Sequence, residues 1–242
     1  MPGIKYIIGV FIISLLYMPI SFVYADLGSI FKKVQETISG DAGVSQGDVV
    51  NGLKEALQIG TGKTVQALSK LDGYYKNPQI KIPLPQSMQK FEKILRTTGF
   101  GAKLDEFELS MNRAAEKAAP EAKSLFVDAI RKMSFSDADK ILKGADNEAT
   151  TYFKDKTSGK LQSLFKPIVQ QSMETVGVTR SYKSLSDKIK SFPLAGNYMV
   201  DLDSYVTEKA VGGLFLRLAE EEAKIRNDPA ARVTDLLKKV FK

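Results

Sequence analysis

One stretch, DLDSYVTEKAVGGLFLRLAEEEAKIR at residues 201–226, restricts what this chain can fold into more than any other. On a helical projection, Tyr205, Val211, Leu214, Phe215, Leu216, Leu218, Ala219, Ala223 and Ile225 spread over roughly half the circumference. A surface helix carries a narrower stripe, so an arc this wide has to be covered by several neighbours. Gly212 and Gly213 each disfavour the helix by about 1 kcal/mol relative to Ala, and are expected where another helix comes very close. The rest of the chain is therefore expected to pack around this helix.

Two absences narrow the chemistry. The 242 residues include no Cys and no His. Disulfides, thiolate nucleophiles, Fe–S clusters and lipidated cysteines are excluded by the first. The second removes the imidazole base, and together they exclude Ser-His-Asp and Cys-His mechanisms and the usual zinc sites. Carboxylates, Lys, Tyr and Ser are left for any catalysis, and no cofactor or metal is implied. The net charge of +7, from 35 Lys and Arg against 28 Asp and Glu, is dispersed along the chain. It would favour anionic partners such as phospholipid head groups, lipopolysaccharide or nucleic acid, although a plain solvated basic surface with no special partner is the simpler reading. No basic tract is interleaved with aromatics, so nucleic acid is the weakest partner class.

The first 25 residues, MPGIKYIIGVFIISLLYMPISFVYA, have the layout of a secretory signal: Lys5, an apolar run from Tyr6, Pro19, and small residues at −3 and −1 of a cleavage point after Ala25. The apolar run is almost long enough to span a bilayer, so an uncleaved anchor is the alternative. Either way the folded part is expected outside the cytoplasm, in the periplasm or secreted.

Residues 26–47 read as a short helix, with Leu27, Ile30, Phe31, Val34 and Ile38 on one face, followed by a connector. Residues 48–242 read as one all-α domain. A long helix is expected from Asp48 to about Leu71, ended by Asp72-Gly73. It contains Gly60-Thr61-Gly62-Lys63-Thr64, which resembles a phosphate-binding loop, but no strand precedes it and the apolar period runs straight through. Asn77 to Pro85 holds three prolines, with Ile80, Ile82 and Leu84 alternating; an extended strap over the core is expected, rather than an exposed edge for a partner strand.

Helices follow over Ser87–Thr97, Lys103–Ala119 and Glu121–Met133, with Ile94 among the inward residues of the first. Ser136 with Asp139 reads as a capping box, and Ser184 with Asp187 as the start of another short helix. From Asn147 a long helical segment, Leu164 included in its apolar face, is expected to bend or break at Gly159 and Pro167. Asp201 or Asp203 is the N-cap of the central helix, which Asp228-Pro229 closes. A final amphipathic helix, Ala230 to Phe241, ends in Lys238, Lys239 and Lys242.

The stretches NPQIKIPLP (77–85), ELSMNRAAEKAAPEAK (108–123), TYFKDKTSGKL (151–161), LDSYVTEKAVGGLFLRLAEEEAKIRNDPAAR (202–232) and LLKKVF resemble, in order, the domain-of-unknown-function family 4197 of exported bacterial proteins. The resemblance runs from about Val49 to the C-terminus. It implies a secreted or periplasmic, mostly helical domain, and carries no functional residue across.

Two polar sets are the candidates for a ligand site or a buried polar network. On the central helix Glu208, Glu222 and Arg226 project into the apolar arc, with Glu222 and Arg226 an i, i+4 pair. On the earlier helix Glu108 sits in or beside the buried arc, and Asn112 and Glu116 continue its ladder, while Arg113 points to the other side. If the two helices pack together, these groups meet inside the protein. A satisfied structural network, a ligand site and a glycan hydrolase with a protonated Glu are the three readings. Asp201-x-Asp203 lacks the Gly and Glu of a calcium loop, and capping explains it better. The expected function is a non-enzymatic periplasmic protein binding a protein partner or an apolar or anionic envelope ligand. The rival is a carboxylate-dependent cell-wall hydrolase.

Overall fold

A computed structural model describes residues 46–175, 178–191 and 200–227. The chain divides into two units, Met1–Val44 and Ser45–Lys242, and the described residues all lie in the second. The signal-like segment, the helix expected over residues 26–38, the Asp228-Pro229 stop and the amphipathic stretch 230–241 lie outside the described residues. So do Phe192 to Gly196 and Asn197.

The fold is all-α. Its helices are α1 (Gln46–Leu68), α2 (Gln86–Gln89), α3 (Glu92–Leu95), α4 (Gly101–Ala118), α5 (Ala122–Lys132), α6 (Phe135–Lys143), α7 (Glu148–Thr175), α8 (Val178–Lys190) and α9 (Leu202–Asn227). A π-helical turn, Arg96–Phe100, joins α3 to α4, and Arg96 bridges the junction by reaching Glu92 at 2.9 Å and Asp105 at 2.8 Å. A 3₁₀ turn carrying Pro120 leads into α5.

Helix α9 packs against α7, α1 and α4, as its wide apolar arc demands. Asp201 is the N-cap: its carboxylate accepts the Ser204 N–H at 3.0 Å and the Ser204 hydroxyl at 2.6 Å. The core centres on fully buried Phe107, Phe126, Phe153 and Phe165, each contributing about 1.5–3 kcal/mol by burial. Phe126 meets Phe153 with ring centres 5.1 Å apart and Phe215 at 6.3 Å, so one aromatic cluster ties α5, α7 and α9. Phe107 stacks on Tyr182 at 5.8 Å, seating α8 on α4. A smaller cluster of Val50, Leu53, Met133, Ala138, Ile141 and Ala149 joins the first half of α1 to α6 and the start of α7.

Several expectations change. Helix α1 stops at Leu68 rather than Leu71, and Leu71 is 76% exposed. The chain turns back there: Asp72 is left-handed at φ 67°, and a Cβ on Gly73 would lie 2.6 Å from the carbonyl oxygens of Ala67 and Leu68. Thr61 and Thr64 point their hydroxyls at Leu57 and Gly60 carbonyls inside the same helix, so the glycine-rich stretch is ordinary helix and cradles no phosphate. The capping box of α6 is Ser134 with Asp137, the same Ser-x-x-Asp spacing two residues earlier, while Asp139 pairs with Lys143 at 2.8 Å. Helix α8 begins at Val178, which leaves Ser184 and Asp187 inside it. Helix α7 runs through Gly159 and Pro167 unbroken, because Pro167 and Ser163, whose carbonyl loses its partner, both face solvent while Leu161, Phe165 and Val169 stay packed. Ile94, Leu164 and Leu216 are more exposed than their helical phase suggests.

What presses on α9 at its glycine pair is not a helix. A Cβ on Gly213 would stand 2.9 Å from Tyr74 Cε1 and 3.1 Å from Ile80 Cβ, whereas Gly212 faces open space. Gly213→Ala is expected to destabilise by about 1–3 kcal/mol through overpacking, and Gly212→Ala to stabilise by about 0.5–1 kcal/mol. Urea melts of the two variants test this; equal effects would contradict it.

The α6 cap gives a pH dependence. The Ser134 hydroxyl and backbone N–H hold the Asp137 carboxyl below its ordinary value of 3.8. A lowered carboxylate contributes stability above its unfolded value and loses it as pH falls through the folded one. Acid-induced loss of stability below about pH 4 is expected to shrink in Asp137→Asn, measured by urea melts at stepped pH.

Candidate functional site

The residues singled out on α4 clamp the segment from Asp72 to Ile82. Glu116, almost fully buried, accepts the N–H groups of Tyr74 at 3.1 Å and Tyr75 at 3.3 Å on one oxygen. Its other oxygen takes Arg113 Nη1 at 2.6 Å, and Arg113 Nη2 reaches Asp72 at 2.6 Å. Arg113 was expected on the opposite side, but its length carries the guanidinium back into the network. Lys76 adds a 2.8 Å contact, and Lys76 and Arg113 together hold the Asp72 carboxyl below its ordinary value. Tyr74, fully buried, donates its hydroxyl to the Ala210 carbonyl at 2.8 Å, and burial followed by the Glu116 charge pushes its phenol up.

One turn earlier, Asn112 does what a neighbouring strand would do. Its amide oxygen accepts the Ile82 N–H at 2.8 Å, and its amide nitrogen donates to the Ile82 carbonyl at 2.9 Å and the Glu108 carbonyl at 2.8 Å. Glu108 is half-buried and pairs with Lys81 at 2.7 Å. The strap is thus held from beneath by Ile80, Ile82 and Leu84 in the core, and along its backbone by α4.

On α9, Glu222 caps another helix. Its two oxygens accept the Ala149 and Thr150 N–H groups, each at 2.8 Å, and the Thr150 hydroxyl at 2.8 Å. These are orphan donors at the start of α7, where the helix dipole also favours an anion. Arg226 donates to Glu222 at 3.0 Å and to the Ile141 carbonyl at 2.7 Å, tying the end of α6 to the same point. The pair is 7% and 8% exposed. Glu208 is exposed and belongs to neither set, because α9 turns that flank to solvent. The two sets therefore serve different places, the strap and the α7 N-terminus.

A sugar-cleaving pair needs carboxyl groups facing a cleft, one of them free to give a proton. Both oxygens of Glu116 and of Glu222 already accept scaffold donors, and Glu108 is engaged by Lys81. Among the described residues no group of three or more Asp and Glu side chains is placed to hold a metal.

Two concavities among the described residues bear on ligand binding. An apolar cleft between α1 and α9, floored by Leu53, Ala56, Phe153, Leu218 and the Glu222–Arg226 pair, has about 30 Å³ of room. That suits one or two waters, far below the roughly 150 Å³ that accepts even a benzene ring. A larger groove of about 210 Å³ lies between α5, α6 and α7. Lys132, Lys156 and Lys160 line it with Tyr152, whose hydroxyl donates to the Ala129 carbonyl at 2.9 Å.

The family model described as "Protein of unknown function (DUF4197)" matches residues 43–242, most of the chain. The chain belongs to the DUF4197 family. No curated protein and no solved structure matches it. In this DUF4197 member, helical phase pointed to Asn112, Glu116, Glu222 and Arg226, but the groove lysines went unmarked. Only the i, i+4 spacing of Lys156 and Lys160 hinted at them; Lys132 joins them through the crossing of α5 and α7, which no local pattern encodes.

Proposed function

We propose that this DUF4197 protein is an exported, non-enzymatic binding protein of the cell envelope, its ligand a protein partner or an anionic envelope component. The observation that carries this reading is the use of the buried carboxylates: Glu116 and Glu222 act as hydrogen-bond clamps, leaving no free acid and base pair among them. Export rests on the signal-like residues 1–25 and on the family resemblance. Among the described residues no helix is long and apolar enough to cross a membrane. The α1–α9 cleft is too small to hold an apolar ligand.

The test is native mass spectrometry, with lipid extraction, on protein purified from the periplasmic fraction. A chain beginning at Asp26 with a reproducible anionic or protein adduct is the expected result. An intact Met1 in the cytoplasmic fraction would overturn the export reading. Release of sugars from purified cell wall, in proportion to the amount of purified wild-type protein added, would overturn the non-enzymatic one.

A further inference from the structure

We infer that the groove between α5, α6 and α7 binds the phosphate of a phosphomonoester, held by Lys156 and Lys160 from α7 and Lys132 from α5, with the Tyr152 ring as its wall. The inference rests on the binding-protein reading above and names the ligand class at one place.

Three ammonium groups and two carboxylates, Asp128 and Asp137, line the groove. Neither carboxylate is spare. Asp128 is paired with Lys132 at 2.8 Å, and Asp137 is bound to the Ser134 N–H at 2.9 Å and hydroxyl at 2.6 Å in the α6 cap. Lys156 and Lys160 have no ion pair among the described residues; Lys156 rests 5.8 Å from the centre of the Tyr152 ring. Lys160 with Arg131, and Lys156 with Lys140, help to lower Asp128 and Asp137 respectively through charge alone, so the cations outnumber the carboxylates around the groove. Two lysines without a direct ion pair, one helical turn apart, thus face an open groove whose lining is part apolar and part polar.

The kind of cation selects the anion. A planar carboxylate is matched best by the two-pronged guanidinium of Arg, and no Arg lines this groove. Lysines act as point charges with rotatable donors, which suits a tetrahedral group whose oxygens point several ways and which carries close to two charges. Tyr152, locked by its bond to Ala129, and Leu125 give the groove an apolar side against which a glycerol or sugar carrying the phosphate can lie. The room of about 210 Å³ is enough for such a head group.

The experiment is calorimetric titration of the purified protein with glycerol 3-phosphate, sulfate and acetate at equal ionic strength. The wild type and Lys156→Gln/Lys160→Gln are compared, with thermal melts confirming that the variant folds. Glycerol 3-phosphate is expected to bind at least about tenfold tighter than sulfate or acetate, with that preference lost in the variant. Vesicles containing phosphatidic acid form a second arm: binding there as well assigns the phosphate to a lipid head group, and binding of the soluble ester alone assigns it to a free metabolite. Equal weak binding of all three anions, weakened in the variant, would overturn the phosphate assignment while leaving an anion-binding protein. Absence of any binding, or binding unchanged in the variant, would overturn the groove as a site; the adduct measurement above still decides the binding-protein reading.

Discussion

Glu222→Ala is expected to lower stability by about 3–5 kcal/mol, the largest effect of any single change considered for this protein. The substitution strips three acceptor contacts from the start of α7 and leaves the Arg226 guanidinium, 8% exposed, without its carboxylate. Arg226 keeps its bond to the Ile141 carbonyl, but a buried cation that loses its carboxylate makes breaking such a pair worse than lacking it. For a chain of this size the loss corresponds to a fall in melting temperature on the order of 10 °C. Removing both partners in Glu222→Ala/Arg226→Ala should recover part of it, since the buried cation is gone while the missing helix cap remains. Urea melts of the two singles and the double give the coupling. A single-variant loss under about 1 kcal/mol would show that water replaces the carboxylate and that the pair is not a clamp.

The second large effect is at Asn112. In Asn112→Ala the Ile82 N–H and carbonyl, both in the buried part of the strap, lose their partners at once. Two unsatisfied buried groups destabilise by about 2–4 kcal/mol together. The damage should be local first: limited proteolysis is expected to cut within Asn77 to Pro85 far faster than in the wild type. Lys81→Ala, which removes the partly exposed pair with Glu108 and a 4.8 Å contact over the Tyr75 ring, should change stability by no more than about 1 kcal/mol and leave the strap resistant. Equal cleavage of wild type and Asn112→Ala would mean that the apolar contacts of Ile80, Ile82 and Leu84 suffice to hold the strap.

Both residues were visible in the sequence as anomalies. Asn112 and Glu222 are polar side chains at helical phases that belong to the apolar face, and such positions are rarely left unsatisfied. Their partners were not visible, because Asn112 pairs with Ile82 thirty residues away and Glu222 with Ala149 and Thr150 more than seventy away. Glu208 shows the limit of the same method. An ideal projection assigned it to the arc of α9, yet the neighbours of α9 leave that flank to solvent. Gly213 is similar: the glycine pair announced a close approach, and the intruders are a tyrosine ring and an isoleucine of the strap.

The sequence by itself determined the all-α class, most of the long helices, the family, the absence of cysteine and histidine chemistry, and that a non-helical strap separates the first helices, although Asn77 to Ile80 close a turn and only the residues from Lys81 to Pro85 run without one. These follow from period, from backbone restrictions at Pro, and from composition, all of which act over a few residues. Only the tertiary structure decided that Glu116 and Asn112 hold the strap, that Glu222 caps α7, that Ser134 rather than Ser136 starts α6, and that three lysines from two helices share a groove. Those outcomes depend on the angles and registers at which helices cross, fixed by packing Phe126, Phe153 and Phe215 into one core. Close packing is a property of the whole set of side chains, so no local pattern contains it.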